Sequence, residues 1–429
     1  MTYYRATAAG AAHASLRGAV DCETCIVGGG FAGLNTALGL AERGLADGVV
    51  LLEAAQVGEG ASGRNGGFVF GGFSRGEDKL LAELGPARAR ALYAGTTDAV
   101  ETIRTRIDRH AIECERVEAG VLWANWFRDP DVLRARQHLL ADHFGVEWQW
   151  VPRSELRALL HTDRYTDGLF EPRAFHFHPL KYVQGIARAA AAQGVRVHEG
   201  SPATGLRGDG AGWRVETPGG VVRARRVVLA CGGYLAGLRE AVDAGVMAIA
   251  TYAMATEPLG DRLADVMATR AAVYDTRFAF DYYRPMADTR LLWGGRISVR
   301  DRDPAAVARL LRRDLLEVFP QLAGVRIEHA WSGLMSYARH EMPQVGRIDA
   351  SLWLAQAFGG HGVAPTTFAG ELLASAIAEG DTRWRELCDY GLVSALKPAG
   401  YVGAQLRYWW LQALDAWKDW REGGPIADA

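Results

Sequence analysis

The sequence predicts an α/β fold interrupted by a second, α+β domain, and three observations predict it. Residues 22–67 run strand, glycine turn, helix, strand and a further glycine-rich loop. This alternation stops near residue 77 and resumes at 170–235 and 341–400, with strand-rich blocks of another pattern between. A length of 429 residues fits two or three structural units. The expected organisation is one discontinuous domain (1–77, 170–235 and 341–400), a second built from 78–169 and 236–340, and a tail at 401–429.

The first element is a short apolar, β-prone run at 22–27. It ends in Gly28-Gly29-Gly30-Phe31-Ala32-Gly33, a G-x-G-x-x-G match. Leu34, Ala37, Leu38 and Leu40 continue at helical spacing, and a second strand at 49–52 ends on Glu53, 20 residues after Gly33. Gly28 permits the tight turn, Gly30 lets the backbone approach a pyrophosphate, and Gly33 lets the helix pack on the strand. The helix N-terminus, with Phe31 and Ala32, offers N–H groups and a positive dipole end to phosphates. Glu53, followed by Ala54, can accept hydrogen bonds from ribose hydroxyls. In a chain with 51 glycines the motif alone is weak. The strand before it, the helix after it and the correctly spaced acid make it a Rossmann-like dinucleotide-binding unit.

Composition is globular, 49% hydrophobic and 23% charged, and the net charge of −2 gives no basic excess for nucleic acid or an anionic membrane. No run approaches the ~18 apolar residues of a membrane span, and residues 1–20 lack the apolar core of a secretory signal. A cytoplasmic chain with free thiols is expected. Cys22 and Cys25 are three apart on a strand, so they point to opposite faces and read as core. His176 and His178 alternate like ligands, but no third ligand is near, so no metal is expected. His178 reads as a helix cap before Pro179, with the floor of a substrate cavity as the functional alternative.

Dinucleotide identity turns on Gly60-Ala61-Ser62-Gly63-Arg64-Asn65-Gly66-Gly67, a second glycine-rich loop that an NAD enzyme does not need at this place. It resembles the loop of the D-amino-acid oxidase family of FAD-dependent amine and amino-acid oxidoreductases, in the form of the γ-glutamylputrescine oxidase branch. The resemblance implies FAD, with Ser62 bonding phosphate and Arg64, Asn65, Gly66 and Gly67 near the flavin. The hairpin expected at 213–224 is followed by a buried strand from 226. That strand ends on Cys231 and Gly232 and resembles the family's second FAD-contact strand. There is no second G-x-G-x-x-G unit for NAD(P)H, so an organic substrate is expected to reduce the flavin directly. Near the C-terminus, Gly359-Gly360-His361-Gly362-Val363-Ala364-Pro365 opens a helix reaching residue 378. Gly360 to Ala364 would set a positive dipole end at the flavin pyrimidine edge. His361 reads either as a flavin contact or as a backbone-positioning residue.

The 78–145 block reads as helices around a strand or hairpin at 117–126. The 247–340 block reads as strands of a large antiparallel sheet plus a helix at 303–319. In the family, segments resembling 280–285 and 291–296 lie over the flavin and shape the substrate pocket. Alternation places Phe280, Tyr282 and Arg284 on one face and Asp281 and Tyr283 on the other. Substrate-pocket candidates are His178, Tyr283, Arg284 and Arg296; no general base is named. Two departures from sarcosine-oxidase relatives matter. No Cys lies in 331–343, which implies non-covalent FAD. Ala364 or a neighbour replaces a substrate-carboxylate Lys, and no Lys occurs between Lys181 and Lys397 to serve oxygen activation.

In the tail, Leu406, Trp410, Ala413, Leu414 and Trp417 share one helical face, expected to dock on the body or on a subunit partner. The flanking charges cancel, unlike those of a membrane-surface helix. The resemblance, covering about residues 20–380, implies an amine or amino-acid oxidoreductase. Hydride leaves the amine carbon for flavin N5, and the imine hydrolyses, with oxygen or another acceptor taking the electrons. The alternatives are a 2-hydroxyacid or polyol dehydrogenase on the same scaffold and a flavin-holding interaction protein without turnover.

Overall fold

A computed structural model describes residues 1–10, 12–208 and 210–424. Strand Gly18–Val27 is the centre of the first sheet. It pairs in parallel with Gly220–Leu229 on one side and Val49–Leu52 on the other. Arg196–His198 extends the sheet beyond Val49–Leu52; Leu352–Gln356 and then antiparallel Gln344–Arg347 extend it beyond Gly220–Leu229. Val49–Leu52 and the last three residues of Gly18–Val27 and of Gly220–Leu229 are unbroken apolar runs, because both faces of the sheet are covered there. Helix Phe31–Ala41 is buried at every residue and packs against helices Val363–Glu379 and Pro179–Ala192. Burial on all sides explains why its sequence shows little amphipathic contrast.

One expected break is absent. The hairpin and the following strand form a single ten-residue strand, Gly220–Leu229. Its first half pairs with Trp213–Thr217 while its whole length pairs with Gly18–Val27. Exposed Arg223 and Arg225 interrupt the apolar pattern but only solvate one face.

The second sheet has eight strands, in the order Ile327–Tyr337, Met247–Thr256, Leu291–Ser298, Tyr282–Pro285, Ala272–Asp275, Val121–Ala124, Gly168–Glu171 and Gln149–Val151. Neighbours are antiparallel except Ala272–Asp275 and Val121–Ala124, which join the two inserted blocks in parallel. Helix Pro304–Val318 covers the sheet through buried Val307, Leu311, Leu315 and Val318. Asp303 caps it by accepting the Ala306 N–H at 2.9 Å, with Pro304 in the first turn.

The C-terminal helix, Ala399–Arg421, docks by a different face from the one its apolar spacing suggests. Gln405 and Tyr408 are buried, whereas Leu406, Trp409, Trp410, Leu414 and Trp417 are exposed. Hydrogen bonds decide the orientation. Gln405 Oε1 accepts from Ser298 Oγ and Val299 N, Asp415 accepts from Phe278 N at 2.8 Å, and Asp419 pairs with Arg164. Tyr408 fills a cluster with Met247 and Ile249. Residues 425–429 of the tail lie outside the described residues. Among the described residues, no helix is long and apolar enough to cross a membrane.

Candidate functional site

The two sheets enclose a cavity of about 1170 Å³. Its first end is the glycine turn after Gly18–Val27. Gly28 sits at φ +115°, and a Cβ there would lie 2.6 Å from Ala230 O. A Cβ on Gly33 would lie 2.0 Å from Gly28 O, so the helix can approach the turn only with glycine there. Gly33 is a packing position behind the cavity wall, while Gly28, Gly30, Phe31 and Ala32 form the wall itself.

Glu53 and Ala54 line the same end. Glu53 Oε2 accepts Gly29 N–H at 2.7 Å and Oε1 accepts Ala55 N–H at 2.9 Å. Burial raises its pKa against these bonds. Ser62 Oγ accepts the Phe31 N–H at 2.8 Å, tying the second glycine loop to the helix N-terminus. Asn65 folds that loop on itself: Nδ2 donates to Ala61 O and Ser62 O, and Oδ1 accepts from Gly67 N. Arg64 pairs with Glu59 and donates to Ser332 O, anchoring the loop to the second sheet. These residues, Gly66, Gly67, Cys231 and Gly232 all face the cavity.

Gly360, His361, Gly362 and Val363 close the wall ahead of helix Val363–Glu379, while Ala364 is buried behind it. Tyr337 Oη accepts the Gly360 N–H at 2.8 Å and Ser74 Oγ accepts the His361 N–H at 3.2 Å. The His361 ring meets Phe70 edge-on at 4.2 Å. Burial, reinforced by the Arg136 charge, lowers its pKa to about 4. It is therefore neutral at physiological pH, and its Nε2 has no hydrogen-bond partner among the described residues. The glycine turn, the acid after the second strand, the loop bent by Asn65 and the helix-opening turn together fit a dinucleotide carrying a flavin.

Beyond this cradle the wall becomes aromatic. Tyr274 is stacked between Phe70, at 5.8 Å and 13°, and Trp123, at 5.9 Å and 16°. Tyr282 meets Phe68 and Phe280 edge-on at 5.7 and 6.3 Å. Arg136 forms part of this wall. Lys79, Glu341 and Arg407 line the cavity elsewhere, with Glu341 pairing both cations.

Of the four pocket candidates, only Arg296 lines the cavity. It sits at a β-bulge with φ +61°, and its guanidinium grips buried Asp314 through Nε at 2.8 Å and Nη2 at 2.5 Å. The other three are placed outside it. Tyr283 points to the far side of the sheet and stacks on Trp293 at 4.5 Å. His178 caps helix Pro179–Ala192 through Nδ1 and lies 3.0 Å from Thr7 Oγ1 through Nε2. Arg284 is on the cavity side, but its head turns into the protein. Nε donates to Gly66 O at 2.7 Å and Nη2 to Phe177 O at 2.8 Å. Sequence reasoning did not mark Phe68, Phe70, Trp123, Arg136 or Tyr274. Alternation did put Phe280 and Tyr282 on one face, and both line the cavity.

His176 Nε2 is 2.9 Å from Arg270 O, and no group of three metal-ligating side chains occurs among the described residues. All five cysteines are free.

A dinucleotide cradle opening onto a substrate-sized chamber defines a flavin-dependent oxidoreductase. Comparison with known proteins agrees: residues 23–376 match the family "FAD dependent oxidoreductase" (DAO), and the chain belongs to it. It is 36% identical over 365 residues to gamma-glutamylputrescine oxidoreductase of Escherichia coli K12, covering 85% of each chain. It is 34% identical over 367 residues to a probable oxidoreductase, OrdL, of Haemophilus influenzae, covering 84% of each. Among solved structures, glycine oxidase from Geobacillus kaustophilus superposes with a TM-score of 0.72 at 21% identity. That match covers 87% of this chain and 99% of the other. The match to L-proline dehydrogenase from P. horikoshii has a TM-score of 0.71 at 18% identity, over 86% and 96%.

Proposed function

We propose that this chain oxidises a small amine or amino-acid-like compound, using FAD held without a covalent bond. The carrying observation is the continuity of one cavity from the glycine cradle to the aromatic chamber, in a chain 36% identical to gamma-glutamylputrescine oxidoreductase. When bound, FAD would supply a two-electron acceptor at N5 for the hydride leaving the amine carbon, the nitrogen lone pair forming the C=N bond. Water then adds to the imine, releasing a carbonyl compound and the amine fragment, and oxygen or another acceptor takes the two electrons.

The chain's own residues bind and orient. The first-turn amides of helix Phe31–Ala41 and the loop at 62–67 hold the phosphates and flavin. The Gly360–Val363 turn presents a helix N-terminus where negative charge develops. Phe68, Phe70, Tyr274 and Tyr282 exclude water from the reacting carbon. Among the described residues, the carboxylates on the cavity wall are Glu53, Glu59 and Glu341, none of them in the aromatic chamber. The amine reacts as the neutral base, its proton lost before the hydride leaves. Cys231 is the one cysteine on the wall; its thiol donates to Val27 O and burial pushes it up to about 12, which supports non-covalent attachment.

An anaerobic absorption titration with amines, amino acids and 2-hydroxyacids tests this reading. Bleaching of the flavin by an amine, followed by recovery in air or with a quinone, is the expected result. Bleaching by hydroxyacids alone would replace it. Acid precipitation that leaves flavin on the protein would overturn the non-covalent attachment.

A further inference from the structure

Helix Ala399–Arg421 has two unlike sides. Gln405 and Tyr408 are buried in the body, and Ala404, Tyr408 and Leu411 line the cavity. The opposite side carries Trp409 and Trp410, each 61% exposed, Trp417 at 53% and Trp420 at 77%. Val402, Leu406 and Leu414 stand exposed among them. Together these seven side chains offer roughly 900 Å² of apolar surface, since one tryptophan alone presents up to about 250 Å². A monomer seldom leaves so large an apolar patch in water, and a standard interface takes about 800 Å² from each partner.

The order of residues along the helix points to the occupant. Val402, Leu406, Trp409, Ala413, Ala416 and Trp420 alternate four and three residues apart. That is the seam of a helix that packs on another helix. Run antiparallel to its own copy about a two-fold axis, the seam sets Trp409 against Ala413 of the second copy. Leu406 then meets Ala416, and Val402 meets Trp420. Each layer joins a larger side chain to a smaller one. On the flank, Trp410 lies at the axis and Trp417 faces Gly403, an exposed position without a side chain. Two-fold pairing makes every one of these contacts twice.

Charge points the same way. The body takes up most of the helix's charges. Arg407 pairs with Glu341, Lys418 with Asp129 and Asp419 with Arg164, and Asp415 accepts from Phe278 N. Arg421 lies over the Trp417 ring at 4.7 Å. A membrane-surface helix carries a free basic rim, and a charged foreign partner needs free charges to meet it. An uncharged stripe with large and small residues in register is complementary to its own copy.

We propose that the tryptophan face of helix Ala399–Arg421 is a homodimer interface, two copies packing these helices antiparallel across an axis near Trp410. The pairing sits directly behind the cavity wall formed by Ala404 and Leu411 and braces it from outside. It does not depend on which substrate the cavity takes.

Sedimentation of the full-length, FAD-loaded protein over a concentration series tests this. Wild type forms a reversible dimer. Trp410→Asp raises the dissociation constant more than about 30-fold, the least that a central hot spot gives. Ala413→Leu adds apolar surface yet also weakens the dimer, because the enlarged side chain collides with Trp409 of the second copy. Exchanging the two, Trp409→Ala with Ala413→Trp, restores it. In dilute protein, where single chains prevail, all these variants retain FAD and unfold as wild type does, because the face is exposed in one chain. A wild type that stays monomeric up to on the order of 100 μM would overturn the proposal, since interfaces of this size bind at micromolar levels or tighter. So would a dimer indifferent to both Trp410→Asp and Ala413→Leu, which must lie on another face. Co-sedimentation with vesicles of phosphatidylcholine and phosphatidylglycerol, strengthened by Ala413→Leu and lost in Trp410→Asp, would assign the face to a lipid surface and overturn it as well.

Discussion

Replacing Arg284 with Gln tests whether this residue serves the cofactor loop or the substrate. Its Nε and Nη2 donate to Gly66 O and Phe177 O at 2.7 and 2.8 Å, and a weaker contact runs to Tyr4 Oη at 3.3 Å. The residue is 3% exposed, and among the described residues its hydrogen-bond partners include no carboxylate. The shorter Gln side chain leaves both carbonyls without their donor. Each buried orphan costs about 1–3 kcal/mol, so the variant should be destabilised by about 2–6 kcal/mol. Only the Gly66 half bears on the loop that meets the flavin. That share, about 1–3 kcal/mol, corresponds to FAD binding weakened about 5- to 150-fold. Denaturant unfolding gives the first quantity, and titration of deflavinated protein with FAD gives the second. With FAD saturating, KM for the substrate should change less than threefold, on the order of the scatter for a residue without substrate contact. Unchanged FAD affinity together with a large rise in KM would refute this reasoning and restore Arg284 as a substrate residue.

Four further outcomes follow from the same structure. Gly33→Ala brings a Cβ within 2.0 Å of the Gly28 backbone oxygen and should abolish FAD retention; Gly30→Ala meets only the Ser62 hydroxyl, at 2.9 Å, and should retain weak binding on gel filtration. Tyr408→Ala should cost about 3–5 kcal/mol of stability, whereas Trp410→Ala and Trp417→Ala should each change it by less than about 0.5 kcal/mol in thermal denaturation. Burial pushes the Glu171 carboxyl in the folded chain up to about 8, from the ordinary value of 4.5. Between those values the unfolded chain releases this proton and the folded chain keeps it, so stability falls as pH rises. Glu171→Gln should flatten that decline in denaturation curves recorded across the window, and be the more stable protein near its upper end. Tyr283→Phe keeps the stack on Trp293 and lies across the sheet from the cavity, so kcat/KM should stay within about twofold of wild type.

The cradle was legible because its parts are contiguous in sequence. A glycine motif, a helix and an acid within residues 28–53 interact with one another, so spacing alone carries the geometry. The aromatic chamber is different. Phe70, Trp123, Tyr274 and Tyr282 come from four separate segments, and only the pairing of Val121–Ala124 with Ala272–Asp275 brings Trp123 beside Tyr274. Pairing of distant strands leaves no local periodic mark. The face by which the tail helix meets the body was not legible for another reason. Apolar spacing located an amphipathic helix correctly, but Gln405 binds the end of strand Leu291–Ser298 and Asp415 the turn at Phe278, which turns Tyr408 inward and leaves the tryptophan side exposed.

The arginines near the cavity show what residue type cannot supply. Arg134 and Arg136 stand two apart on one short helix; the first is exposed and lies over Trp150 at 4.1 Å, while the second enters the cavity wall. Arg284 and Arg296 sit on neighbouring strand segments and look equivalent by composition. Their acceptors separate them: backbone carbonyls for Arg284, one of them in the cofactor loop, and a buried carboxylate for Arg296. A guanidinium can be a loop clamp, half of an ion pair or a ligand anchor, and the choice is made by which acceptors the distant chain delivers to its five donors. Arg136 and Arg296 both line the cavity, and each is held by a buried carboxylate, Glu77 for the first and Asp314 for the second.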